Sequence, residues 1–350
     1  MRKLLMLLTS LIVFFVVGCS NEGAGSGGTS NNSQESNSSE TIEFRIGTGN
    51  NESHPHYHGM VKLKEVLEEE GGDRFDVKFF LNSTVGDDRE MIEGLQMGTL
   101  DATIPAVGVV SNFVTDFEIF NFPFLFPNEE VADEVLGGPT GQQILDRLQE
   151  QGQGVLGMDY WEQGFFLLTN SSREVKTLED LKGLSIRTIE NEIQVDTLRA
   201  LGANPTPMPW GELFTAMQQG VVDGQQNPIA NIHSAKFYEV QDYLTITNHH
   251  YGPSIFLVSE IFWNKLSEEE QQLVDKAIKA GNTEAKRVMR EQNAAQLQEV
   301  EEYGMTITEL DDSEIDRMRE LAQPVIEKYS EEIGKDFVNE FYQAVEDAQK

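Results

Sequence analysis

Between Ser267 and Gly304 the chain reads as one helix. Ser267-Glu-Glu-Glu270 is a capping box, in which a serine and a glutamate three residues on satisfy each other's backbone N–H groups. Apolar residues at helical spacing continue to Tyr303, and Gly304 supplies a stop. About 36 residues at 1.5 Å each make a rod of roughly 55 Å. A rod of that length suits a molecule of two lobes, lying across both and fixing their relation. The stretch from Thr41 to Lys350, about 310 residues, is also more than one hydrophobic core usually serves.

The amino-terminal residues read as a targeting segment. Arg2 and Lys3 precede an apolar run, Leu4 to Val17, which is short for a bilayer span and right for a signal-peptide core. It ends in Val16-Val17-Gly18-Cys19, which resembles a bacterial lipobox. Residues 1–18 are expected to be removed and Cys19, the one cysteine of the chain, to be lipidated at the new amino terminus. Residues 19–40 are rich in Gly, Ser and Asn with no large apolar side chain, so they read as a tether. The expected location is the extracytoplasmic face of the cell membrane.

The folded part opens strand, helix, strand. Ile42, Phe44 and Ile46 alternate with polar residues, Pro55 suits the first turn of a helix, and Asp76 to Leu81 is a second strand. That order points to an α/β fold with parallel pairing. Gln96-Met97-Gly98 followed by Asp101 echoes Gln218-Gln219-Gly220 followed by Asp223, consistent with two lobes of similar build. Thr177 to Gly183 reads as a short capped helix, and Leu184 to Thr188 as the strand after it.

The net charge is −33, which disfavours nucleic acid as a partner. No G-x-S-x-G, H-E-x-x-H or P-loop is present, so neither an enzyme nor a cofactor is expected. Three of six histidines fall in Ser53-His-Pro-His-Tyr-His-Gly59. Read as a zinc or manganese site, His54 and His58 would share a helix face, with His56 pointing elsewhere and further ligands from afar. Read structurally, His54 starts a helix near a cleft and touches ligand, with His56 and His58 on the helix surface or cleft rim.

Arg187 would project near the carboxyl end of its strand, where ligands gather in open α/β sheets. A guanidinium offers a planar fork matched to a carboxylate. The alternative is a surface arginine paired with Glu190 or Glu192.

Three segments in order, Leu181-Lys-Gly-Leu-Ser-Ile-Arg187, Leu201-Gly-Ala-Asn-Pro-Thr-Pro-Met208 and Val221-Val-Asp-Gly-Gln-Gln-Asn-Pro228, resemble the solute-binding receptors of TRAP transporters, the C4-dicarboxylate-binding family. The resemblance implies a two-lobed, periplasmic-binding-protein-like α/β fold of the class II type, hinged and braced by the long helix. It puts 41–164 with about 253–292 in one lobe, and 165–252 with about 293–350 in the other. It implies that Arg187 pairs with a ligand carboxylate, that Trp210 lies against the ligand, and that Asn227 hydrogen-bonds it. Asp88 falls in a stretch of polar contacts; its alternative role is a helix cap. The partners implied are a small organic acid and the membrane permease subunits, besides the membrane itself through Cys19. Where the family often has an arginine, between Gly164 and Asn170, this chain has Phe165 or Phe166, and Gln226 stands where a glutamate is common. The missing arginine favours a monocarboxylate or partly apolar acid. C4-dicarboxylates, sugar acids, keto acids and solutes such as ectoine all stay open.

Overall fold

The computed structural model describes residues 41–350. The expected signal segment 1–18, the lipidated Cys19 and the tether 19–40 lie outside the described residues. Two sheets organise the rest. The first holds β1 (Ile42–Gly47), β2 (Phe75–Phe80), β3 (Ala102–Thr103), β4 (Val155–Phe165) and β10 (Tyr251–Ser259), in the order β2-β1-β3-β10-β4. The second holds β5 (Leu167–Asn170), β6 (Ser185–Thr188), β7 (Asn204–Pro207), β8 (Gly224–Asn227), β9 (Tyr243–Ile246) and β11 (Thr306–Glu309), in the order β11-β9-β5-β8-β6-β7. In each sheet one strand has parallel partners on both sides, β1 with β2 and β3, β6 with β7 and β8, and in the second β11 also pairs in parallel with β9. This is the two-lobed α/β architecture that the pattern and the resemblance imply.

The echoed Q-x-G-x-x-D segments do the same work in both lobes. Gly98 and Gly220 end their helices in the left-handed region, at φ 71° and 69°. Three residues on, the Asp101 carboxylate accepts the backbone N–H of Arg45 at 2.8 Å, and the Asp223 carboxylate that of Ser185 at 2.8 Å. Each aspartate thus ties the end of its helix to the middle one of its sheet's three neighbouring parallel strands.

Two strand segments cross between the sheets side by side. β4 runs into β5 through Phe166, and the chain returns from β9 to β10 through residues 247–250. At the crossing, Phe166 N–H donates to the His250 carbonyl at 2.8 Å, and the two rings stand 4.7 Å apart. Burial holds His249 down to about 3 and His250 to about 4, so both are neutral at this hinge.

The helix Glu268–Tyr303 spans both lobes. Val274, Ala277 and Ile278 enter the core beneath β1 with Phe44, Met60 and Leu63. Val300 enters the other core, with Leu213, Phe237 and Leu244. Midway, Arg290 donates to the buried Glu162 of β4 and, at 2.9 Å, to Asp133. The last helix, Lys335–Asp347, sets Phe341 against Phe120 and Phe126. Those rings share a core with Ile255 and Leu257 of β10, so part of 293–350 packs on the first lobe rather than wholly on the second.

The long helix meets Pro55–Gly71 where neither has a side chain. A Cβ on Gly59 would lie 2.6 Å from the Gly281 carbonyl and 2.7 Å from the Trp161 ring; one on Gly281 would lie 2.7 Å from the Gly59 carbonyl. Backbone cannot yield as a flexible side chain does. Gly59→Ala and Gly281→Ala are each expected to cost about 1–3 kcal/mol by overpacking. The measurement is urea unfolding, read as a lower midpoint at unchanged slope; an unchanged midpoint would mean that this crossing is not held.

Candidate functional site

The carboxyl ends of the parallel strands of both sheets face one cleft of about 660 Å³. Its walls bring together five of the six site residues expected from the sequence: Asp88 from the first lobe, Phe166 from the hinge, and Arg187, Trp210 and Asn227 from the second.

Arg187 is the centre of it. Its neighbours in the sheet, Thr206 on β7 and Gln225 on β8, hold its strand on both sides, and the residue is 1% exposed. It is not a surface arginine paired with Glu190 or Glu192. Its Nε and Nη2 both donate to the Met208 carbonyl, at 3.0 and 2.7 Å, and Nη1 has no hydrogen-bond partner among the described residues. Burial lowers it to about 10, while Asp88 and Glu190 pull the other way. It is therefore a cation at neutral pH, oriented by a neutral acceptor and with no carboxylate bonded to it.

Asp88 is not the helix cap. Asp87 takes that position, accepting from Glu90 N–H at 3.0 Å in a capping box with the Glu90 carboxylate. Asp88, freed of that duty, accepts Ala106 N–H at 3.2 Å. Burial raises its carboxyl to about 6 and Asp87 adds to this; the Ala106 bond and Arg187 oppose it.

Trp210 opens the helix Trp210–Gln218, and its Nε1 donates to the Gly49 carbonyl of the first lobe at 3.2 Å. Only a glycine fits beneath it, since a Cβ on Gly49 would lie 2.9 Å from the indole. Asn227 does not cap the turn at Pro228; its Nδ2 donates to Gln225 Oε1 at 2.5 Å, and Gln225 Nε2 to Thr169 Oγ1 at 3.0 Å. Gln226, one residue before it, donates to Thr188 Oγ1 and Gln194 Oε1, each at 2.9 Å. A glutamate there could make neither bond, which gives the departure at this position a physical reason.

His54 is not among the residues lining the cleft. It caps the helix Pro55–Gly71, accepting His56 N–H on Nδ1 at 3.1 Å, and is fully buried. Burial first, then His56, lowers it well below the usual histidine value; the cleft residue Asn231 offsets a part. His56 is neither helix surface nor cleft rim. It is fully buried, with Nε2 donating to the Glu162 carbonyl at 2.7 Å and Nδ1 facing Asn50 Nδ2 at 3.3 Å. Burial holds it at about 4. His58 is exposed. The three rings therefore do not converge, and among the described residues no group of His, Cys, Asp and Glu could hold a metal ion. The metal reading is not supported.

The sequence reading missed Arg89 and Asn231, both in the cleft wall. Arg89 lies 6.0 Å over the Phe113 ring and makes no ion pair among the described residues. The signal for it was the run Asp87-Asp88-Arg89 at a helix start, where only the aspartate drew notice. It gives the cleft a second guanidinium, from the lobe opposite Arg187.

A family model described as bacterial extracellular solute-binding protein, family 7, matches residues 46–332. A solute-binding protein of Verminephrobacter eiseniae (strain EF01-2) is 37% identical over 297 residues, 84% of this chain and 86% of that one. The 2,3-diketo-L-gulonate-binding periplasmic protein YiaO of Escherichia coli (strain K12) is 34% identical, over 77% of this chain and 81% of its own. Among solved structures, the sugar acid binding protein DctPAm of Advenella mimigardefordensis, in complex with galactonate, has a TM-score of 0.86 at 34% identity. It covers 88% of this chain and 99% of that one. Among the described residues no helix is long and apolar enough to cross a membrane. With a family model over most of the chain, and relatives that share both sequence and fold, this chain belongs to the family 7 bacterial extracellular solute-binding proteins, transport receptors of the TRAP class rather than enzymes.

Proposed function

We propose that the protein captures a hydroxylated monocarboxylate of the sugar-acid kind between its lobes and delivers it to a TRAP membrane permease, itself held at the membrane by a lipid on Cys19. The observation that carries this is Arg187: a buried guanidinium at the cleft, half used by a neutral carbonyl and with no carboxylate bonded to it. A ligand carboxylate supplies the missing counter-charge. Asp87, Asp88, Arg89 and Glu190 complete the charged lining. Three acids against two arginines leave little room for a second ligand carboxylate, whereas hydroxyls can donate to Asp88 and accept from Arg89. The galactonate held by DctPAm is an acid of this kind. In this reading Arg187, Asn227, Trp210, Asp88 and Phe166 contact the ligand, and His54 sets the wall behind them. The lobes, 41–164 with about 253–292 and 165–252 with much of 293–350, close on it about the hinge.

A charge-assisted hydrogen bond contributes roughly 1.5–3 kcal/mol net. Arg187→Ala is expected to lose at least tenfold in affinity, about 1.4 kcal/mol. A thermal-shift panel of sugar acids, dicarboxylates, keto acids and divalent metals tests this; a ligand at 100 times its Kd adds about 2.7 kcal/mol of stability. Equal shifts in wild type and mutant would remove Arg187 from the site.

Asp88, raised to about 6, is ionised above that pH and repels an arriving carboxylate; below it the group is neutral. Affinity should therefore rise as pH falls from 8 to about 6, by up to about tenfold per unit, and level off below it. Asp88→Asn should flatten the profile. A flat wild-type profile would place Asp88 away from the bound acid. Cys19→Ala should shift the protein from the membrane to the soluble fraction of cells; retention on the membrane would count against the anchor.

A further inference from the structure

Beside the cleft lies a second cavity between the lobes, of about 640 Å³. Gly49, Asn50 and Trp210 line both, so the indole is a wall common to the two. The chemistry changes across that wall. The inner cleft carries five ionisable side chains, whereas no residue lining the outer cavity is charged, in a chain of which 24% is Asp, Glu, Lys or Arg. What lines it instead is aromatic and amide or hydroxyl: Trp210, Phe214 and Phe237 on one side, Asn51, Asn82 and Ser83 on the other. Trp210 and Phe214 are partly exposed, and the buried Phe237 backs them, standing 5.3 Å from Trp210 and 6.5 Å from Phe214. Opposite them, Asn82 and Ser83 hold φ values of 57° and 54° in succession. Two adjacent non-glycine residues in the left-handed region are a strained turn, of the kind that persists where side chains are presented to a ligand.

Flat apolar rings facing neutral donors and acceptors match a saturated ring with C–H faces and hydroxyl edges. They do not match an ion. We propose that the outer cavity is a subsite for an uncharged sugar ring, so that the receptor takes acids carrying a glycosyl substituent. The carboxylate end sits on Arg187 and the neutral ring on Trp210 and Phe214. This rests on the carboxylate reading of the inner cleft. A ligand that reaches both cavities exchanges the Trp210 Nε1–Gly49 hydrogen bond for contacts of its own.

The test is calorimetric titration of the full chain with gluconate, maltobionate and lactobionate, the last two being gluconate with an α- or β-linked neutral hexose. At least one glycosylated acid is expected to bind tenfold or more tightly than gluconate. Phe214→Ala should remove that gain and leave gluconate unchanged. Asn82→Gly keeps the left-handed backbone while deleting the amide, and should do the same should Phe214→Ala fail to fold. Weaker binding of both glycosylated acids than of gluconate would overturn the proposal and leave the inner-cleft reading standing. So would an equal loss for all three acids in the variants. No binding by any of the three, with a dicarboxylate binding instead, would overturn both.

Discussion

Arg187 sets the terms for the rest of the molecule. Burying a guanidinium costs several kcal/mol unless the charge is matched. The Met208 carbonyl satisfies two of its donors without neutralising it. A carboxylate in that position would have closed the site, since a bonded ion pair leaves nothing for a ligand to supply. The nearest compensation is Asp88, which belongs to the other lobe and is itself half protonated near pH 6. The attraction between these groups therefore acts across the cleft and is incomplete when the cleft is empty. In the proposed function an anion on Arg187 supplies the missing counter-charge, meets Arg89 from the opposite lobe, and so draws the lobes together.

The hinge is built to let that happen. Each lobe keeps its own apolar core, and two neighbouring strand segments, the long helix and the two carboxyl-terminal helices, Asp312–Ile333 and Lys335–Asp347, carry the chain between them. Across the cleft rims the contacts are polar: Trp210 to the Gly49 carbonyl, Asn51 to the Ser234 carbonyl at 2.8 Å, Asn112 to the Glu190 carbonyl at 2.9 Å, and beside the last a cluster in which Asn191 donates to Ser111 and Glu118 and Gln194 to Asn121. Each is worth about 1 kcal/mol net and can be exchanged for water. The cores cannot be, so the pivot of the proposed closure is the crossing strands rather than a packed layer that slides. The neutral His249 and His250 fit this position, since a charge there would have to be solvated in a place with no water to do it.

Local chemistry was legible in the sequence where one residue type answers one backbone need. The capping box at Ser267 and the stop at Gly304 bound the long helix at Glu268–Tyr303. The paired glycines and aspartates of the Q-x-G-x-x-D segments have the same two duties in both lobes. Functions that depend on what comes from elsewhere were not legible. Asp87 and Asp88 are both good caps by type; which one caps is decided by the entry angle of the chain, and the other is then left to face the cleft. His56 reads as surface by its helical position, and only the packing of β4 makes it a buried donor to Glu162. Arg89 has only its place beside Asp87 and Asp88 at a helix start as a local signal, because what matters about it is that it makes no ion pair among the described residues.

A chain with a net charge of −33 that binds an anion raises a question of range. The summed field opposes the ligand at a distance, but at physiological salt it is screened within about 8 Å. Inside the cleft the dielectric is lower and the two guanidiniums dominate whatever they touch. Attraction therefore begins only once the ligand is between the lobes, and the acidic exterior contributes nothing to steering. Recognition by such a site has to come from what the walls offer at contact. That is why the composition of those walls, two arginines, three acids and amides in one cavity and rings and amides in the next, says more about the ligand than the charge of the whole protein does.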